Sequence, residues 1–209
     1  MFNTIKQIPI TMAIVLVTVV AFLVPSMADG MMLDLSQPLF SQIGQMFSCH
    51  LLHWSFEHFA WDLFMFVLVG AICERRSCWG YLIVLAVSAI LIPIFVAELT
   101  PTLGSYRGLS GLDTGIFTFA AILLIKEALH EKNLFSAGVY AVMLLGLIGK
   151  TVFELVGGST LFVESSAFTP VPIAHIVGAM VGAFVAFGQR MLPSGQIGNG
   201  FRRSDMPAH

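Results

Sequence analysis

Apolar residues run along this chain in long blocks, separated by short polar punctuation. Six blocks are read by length and punctuation as membrane helices. They run from about Ile8 to Val24, closed by Pro25; from about Phe56 to Ile72, closed by "CERRSCWG"; from about Tyr81 to Ala97; from about Leu109 to Ile125, closed by "KEALHEKN"; from about Leu134 to Val156; and from about Pro172 to Phe187. No sequence repeat and no soluble domain interrupts them. The pattern predicts an all-α membrane protein, with a compact six-helix bundle over residues 1–190. A short cytoplasmic tail of Gly, Pro and Arg over 191–209 is expected to be disordered.

Composition sharpens this. The 209 residues are 57% hydrophobic and only 11% charged, against about 25% charged in soluble domains. So few charges cannot cover a water-facing surface. The net charge of −2 matters less than where the basic residues fall. With a cytoplasmic N-terminus, the inside receives Lys6, Arg75, Arg76, Lys126, Lys132, Arg190, Arg202 and Arg203, and the outside only Arg107 and Lys150. The positive-inside rule then puts both termini in the cytoplasm, and a bacterial inner membrane is the expected location. The long loop from Ser26 to about Ser55 lies outside and carries no Lys or Arg. Its Met31, Met32, Leu33, Leu35, Leu39 and Phe40 predict that it lies on the membrane surface or packs on the bundle. "SMA" at Ser26 to Ala28 has the small-x-small form of a cleavage site. A retained first helix is the preferred reading, because five helices would leave the bundle incomplete. Cys49, Cys73 and Cys78 are odd in number and lack framework spacing, which predicts small apolar side chains and no disulfide.

The candidate chemistry gathers at one depth. The second, fourth and sixth blocks all begin at the outer face, and their starts hold His53, His58 and Asp62; Ser110; and His175. Ionisable groups inside a membrane are costly and usually face a bundle interior or a wet cavity. The fourth block is short, with about 17 residues spanning about 25 Å against about 30 Å of hydrocarbon. If Lys126 holds its inner end at the surface, Ser110 lies in a submerged pit lined by "TPTLGSYRG". Gly108, Gly111 and Gly115 are spaced by three and four, and Gly178 and Gly182 follow His175 by three and seven. Two such smooth faces let helices approach closely, within reach of a Ser110–His175 hydrogen bond. His175 is the only histidine in the last two blocks and so the natural base for a serine nucleophile. Glycine faces are common without catalysis, and a GxSG alone is weak evidence. The conjunction of "GLSG", HxxGxxxG and a His-rich second helix carries the weight.

Those three motifs together resemble the rhomboid family of intramembrane serine proteases. "GLSG", Gly108 to Gly111, resembles the nucleophile motif at the start of the fourth helix. "AHIVGAMVG", Ala174 to Gly182, resembles the sixth helix with its base histidine. "HWSFEHFAWD", His53 to Asp62, resembles the second-helix pattern of His, His and Asn, and "CERR" its charged end. The resemblance implies a Ser110–His175 dyad with no acidic third member and no cofactor. It implies an oxyanion site built from the serine's N–H region, including Gly111, and from second-helix side chains, His58 among them. His53 would be structural or catalytic. The expected partners are a single-pass or tail-anchored membrane protein as substrate and the lipid bilayer, with no nucleic acid.

The sequence also departs from the family. Asp62 stands for the Asn; it either donates when protonated or orients His58 one turn earlier. Thr114 stands where the family often has Tyr, and Gly44 and Gln45 replace a Trp-Arg pair in the first loop. These departures suggest a divergent branch of the family; rhombosortase-like proteins are one such branch, and "YRGLSG" is compatible with it. Three rivals are weaker. A zinc hydrolase would draw on His50, His53 and Glu57, or on His58 and Asp62, but HExxH is absent and "GLSG" goes unused. A non-catalytic rhomboid-like protein would be expected to lack the serine or the histidine. A small transporter would be expected to show matching halves. Trp54, Trp61 and Trp79 are read as anchors or packing, Met31 and Met32 as membrane-facing, and "KEALHEK" as a solvated turn in which His130 has no catalytic part.

Overall fold

A computed structural model describes residues 8–157 and 171–189. The expected tail, and with it Lys6, Arg190, Arg202 and Arg203, lies outside the described residues. Six long helices follow in chain order: α1 (Pro9–Leu23), α2 (Phe56–Arg76), α3 (Cys78–Leu99), α4 (Ser110–His130), α5 (Leu134–Gly157) and α6 (Pro172–Gly188). By length and composition α2, α3 and α5 can each cross a membrane, and a fourth span is reached if α1 and the short helices over Pro25–Met31, bent by 101°, count as one. The architecture is the expected all-α membrane bundle.

The helices divide by burial. More than half of α4 is buried, including Leu112, Ile116 and Phe119, so it is the central helix. In α5 only Ala137 and Glu154 are buried, so it is peripheral. The six-block reading survives, but α4 is not short. Its 21 residues span about 31 Å at about 1.5 Å each, so a sunken Ser110 does not follow from helix length. The helix continues through "KEALH" because its polar residues are engaged. Lys126 Nζ donates to the carbonyls of Ala186 (3.1 Å) and Gln189 (2.8 Å), closing the end of α6. Glu127 pairs with Arg76 at the end of α2. A cation at a helix C-terminus satisfies carbonyls that lack intrahelical donors.

α4 and α6 meet backbone to backbone. A Cβ at Gly178 would collide with the Gly111 carbonyl, and one at Gly182 with the Gly115 carbonyl. A Cβ at Gly115 would come within 3.1 Å of the Gly178 carbonyl. Only glycine permits this approach. Gly108 takes no part in the seam, contrary to its expected place on the same helix face. It precedes α4 in an extended turn with φ of 144°, a conformation L side chains rarely adopt.

α1 is tied into the bundle from another helix. Glu74 of "CERR" accepts hydrogen bonds from the backbone N–H groups of Ile10 and Thr11, both 2.8 Å, and from Thr11 Oγ1 at 2.7 Å. Helix N-termini present N–H groups with no intrahelical partner, and a carboxylate there is favourable. Thr11 and Thr18 are fully buried, and Phe22 stacks on Phe59 of α2 at 4.2 Å. The first loop is partly folded onto the bundle. Strand β1 (Leu33–Asp34) pairs antiparallel with β2 (Ser105–Tyr106), and Leu33, Met46, Cys49 and Leu52 are buried, while Phe40 and Ile43 stay exposed.

Candidate active site

The position of Ser110 is fixed from both sides. Upstream, the β1–β2 pair holds the approach, and Gly108 N–H donates to the Cys49 carbonyl at 3.1 Å. The fully buried Leu109 follows. Ser110 then opens α4, and Leu109 offers no side-chain cap. First-turn N–H groups of such a helix have no intrahelical acceptor, and the positive end of the helix dipole lies among them. One turn on, Thr114 Oγ1 donates to the Ser110 carbonyl at 2.8 Å. Gly111 lies in the α4–α6 seam, where its missing Cβ would approach the Ala174 carbonyl to 3.2 Å.

The same seam brings in His175 from the first turn of α6, where Pro172 opens the helix. Its Nε2 lies 3.1 Å from Ser110 Oγ. Its Nδ1 lies 3.0 Å from Oε2 of Glu154, a residue the sequence reading did not single out. Glu154 is 2% exposed, and its Oε1 accepts from Lys150 Nζ at 2.7 Å. The reading of a dyad with no acidic third member did not foresee this contact: Ser110, His175, Glu154 and Lys150 form one hydrogen-bonded chain across three helices. One tautomer satisfies all of it, with Nδ1–H donating to Glu154 and Nε2 accepting from the serine hydroxyl.

A second histidine–carboxylate cluster stands beside it. Asp62 Oδ2 lies 3.1 Å from His58 Nε2 and 3.3 Å from His53 Nε2. The two rings meet edge-on at 5.1 Å. Of the alternatives for Asp62, this geometry matches orientation of His58, and His53 joins the same oxygen. Burial pushes the His53 imidazole below its usual range, with Asp62 opposing. The cluster borders the serine through the space Gly108 leaves empty. A Cβ at Gly108 would lie 3.2 Å from His58 Cε1 and 3.8 Å from Ser110 Oγ. Arg107 stacks 3.6 Å over the Trp54 ring, linking the segment before α4 to the approach to α2. Trp61 and Trp79 face outward.

Of the residues in the zinc reading, His53, His58 and Asp62 meet in the cluster just described, while His50 and Glu57 stand apart from it. His50 sits in a short 3-10 turn (Cys49–Leu51) and α2 begins only at Phe56, so His50, His53 and Glu57 share no helix face. Glu57 is exposed. Among the described residues no group of three His, Cys, Asp or Glu side chains is arranged to hold a metal ion.

The Rhomboid domain family matches residues 40–191, which includes α2 to α6 and both histidine clusters. No curated protein matches the chain. With its apolar helices, the chain is an integral, multi-pass membrane protein.

Proposed function

The chain belongs to the rhomboid family, and on that premise we propose that it is a serine endopeptidase acting on membrane-anchored proteins. The observation that supports this best is the 3.1 Å contact between His175 Nε2 and Ser110 Oγ, which is hydrogen-bond reach for a nucleophile and its base. Ser110 Oγ attacks the scissile carbonyl while His175 Nε2 accepts its proton. The developing oxyanion meets the uncapped N–H groups opening α4 and the neighbouring His58 side chain. His175 then returns the proton to the leaving amine, and water hydrolyses the acyl-enzyme by the same route. No cofactor enters the scheme.

The substrate is a single-pass or tail-anchored protein, cut within or next to its membrane segment near the outer face. A helical peptide hides its carbonyls, so small or helix-weakening residues near the cut lower the cost of exposing one. Both termini are cytoplasmic in this reading, and the membrane is a bacterial inner membrane. Asp62, Thr114, Gly44 and Gln45 support a divergent branch, and "YRGLSG" is compatible with a rhombosortase-like one.

The test is labelling of the detergent-solubilised protein with a fluorophosphonate, beside Ser110→Ala and His175→Ala. Labelling of the wild type alone supports the activated serine. A folded wild type that stays unlabelled beside an active rhomboid control returns the chain to the non-catalytic, partner-binding reading.

A further inference from the structure

We propose that Glu154 is a positioning residue for the base, so that this site works as a Ser110–His175–Glu154 triad backed by Lys150. The proposal rests on the serine-protease reading above. Its first support is where the acid sits. α5 exposes most of its length to the surroundings, and its two buried residues are Ala137 and Glu154. A carboxylate turned inward from a lipid-facing helix is costly unless it is paired. Here each oxygen has its own donor, Oε2 from His175 Nδ1 at 3.0 Å and Oε1 from Lys150 Nζ at 2.7 Å.

The second support is what that contact does to the ring. A neutral imidazole carries its proton on one nitrogen, and the hydrogen bond at the other nitrogen decides which. Glu154 accepts only, so it holds the proton on Nδ1. The Nε2 lone pair is then left facing Ser110 Oγ at 3.1 Å, as a general base requires. When Nε2 takes the serine proton, the imidazolium forms beside a carboxylate that stabilises it, and the carboxylate need not itself be protonated. Lys150 lies one turn earlier on α5 and holds the other carboxylate oxygen. It also explains a basic residue on the outer side of the chain, where such residues are otherwise scarce.

Two measurements test this. The first is 15N NMR of the wild type with labelled histidine, the His175 signals identified by their loss in His175→Ala. The expected result is a proton on Nδ1 and none on Nε2; the opposite tautomer overturns the proposal, and no variant has to fold for that comparison. The second is the rate of fluorophosphonate labelling of Glu154→Gln and Glu154→Asp. The Gln amide can donate to Nδ1 and favour the wrong tautomer, so labelling should fall about 10²- to 10⁴-fold at a near-unchanged melting temperature. Glu154→Asp should recover part of that rate. A Gln variant that labels at the wild-type rate overturns the proposal and leaves the serine-protease reading standing. So does a rate loss that merely tracks a loss of folded protein with the tautomer unchanged. A wild type that does not label at all overturns the parent reading, and with it any catalytic part for Glu154.

Discussion

Two carboxylates hold imidazoles at the mouth of this bundle, and they hold them differently. Glu154 touches one ring, at Nδ1, and leaves Nε2 to Ser110. Asp62 sits between two rings and touches both at Nε2 through a single oxygen. Glu154 reaches in from a peripheral helix with a lysine on its second oxygen. Asp62 lies on α2, the helix that also carries His58, and ties it to His53 in the preceding segment. The nitrogen that the acid engages separates the two arrangements. Engaged at Nδ1, a ring can serve as a base toward the serine. Engaged at Nε2, the rings are held against one carboxylate oxygen beside the serine.

The largest effect should come from breaking the first arrangement outright. Ser110→Ala and His175→Ala should each abolish fluorophosphonate labelling while the protein still elutes as a folded species from size-exclusion chromatography. Residual labelling of Ser110→Ala would put the reactive serine elsewhere. The next break is made at a distance. Gly178→Ala places a methyl against the Gly111 carbonyl and forces α6 away from α4. Overpacking of this kind typically costs about 1–3 kcal/mol. It should also separate His175 from Ser110 and cut labelling at least about 10²-fold, since catalysis is sensitive to misplacement of about 1 Å. The Asp62 cluster involves neither helix, so His53 and His58 signals in a 15N spectrum should hardly move. Equal disturbance of both clusters would mean that they are one mechanical unit.

The Asp62 side should be more tolerant. Both imidazoles share Oδ2, so the carbonyl of an Asn can occupy that place. Asp62→Asn should label within about tenfold of wild type, a difference of about 1.4 kcal/mol or less. Asp62→Ala removes both contacts and should lower the melting temperature as well as the rate. An Asn variant as inactive as Glu154→Gln would erase the distinction drawn between the two acids.

This contrast also marks where the sequence was readable. Block lengths and Pro, Gly and charge punctuation gave all six helices, and the Gly111, Gly115, Gly178 and Gly182 spacing foretold a close α4–α6 contact. Ser110 and His175 were legible because each sits in a local motif. Gly108 was misplaced because spacing alone cannot tell a first helical turn from the loop before it, and only the φ of 144° settles that. The end of α4 was misplaced because Lys126 and Glu127 look like a surface turn until their partners on α6 and α2 are known. Glu154 left one usable trace, a Lys and a Glu four apart in an apolar block, which reads as an ordinary intrahelical pair. Its contact with His175 joins residues 21 apart in sequence, and no local pattern reports that.

The mildest prediction concerns an imidazole that meets no carboxylate among the described residues, and it isolates what the two acids contribute. His50 is 1% exposed and lies against a carbonyl, Ala89 O, at 3.3 Å. Burial lowers its pKa from 6.5 to about 4. The folded protein therefore binds fewer protons here than the unfolded chain between those two values, and stability must fall as pH drops through that window. Above about pH 7 the residue should make no pH-dependent contribution. The wild-type melting temperature should decline by a few degrees from pH 7 to pH 5, and His50→Gln should flatten the decline while leaving the labelling rate at pH 7 unchanged. A variant that melts with the wild-type pH slope would assign the acid sensitivity to other groups. One that loses labelling at pH 7 would bring His50 into the site, through the turn at Cys49 whose carbonyl holds Gly108.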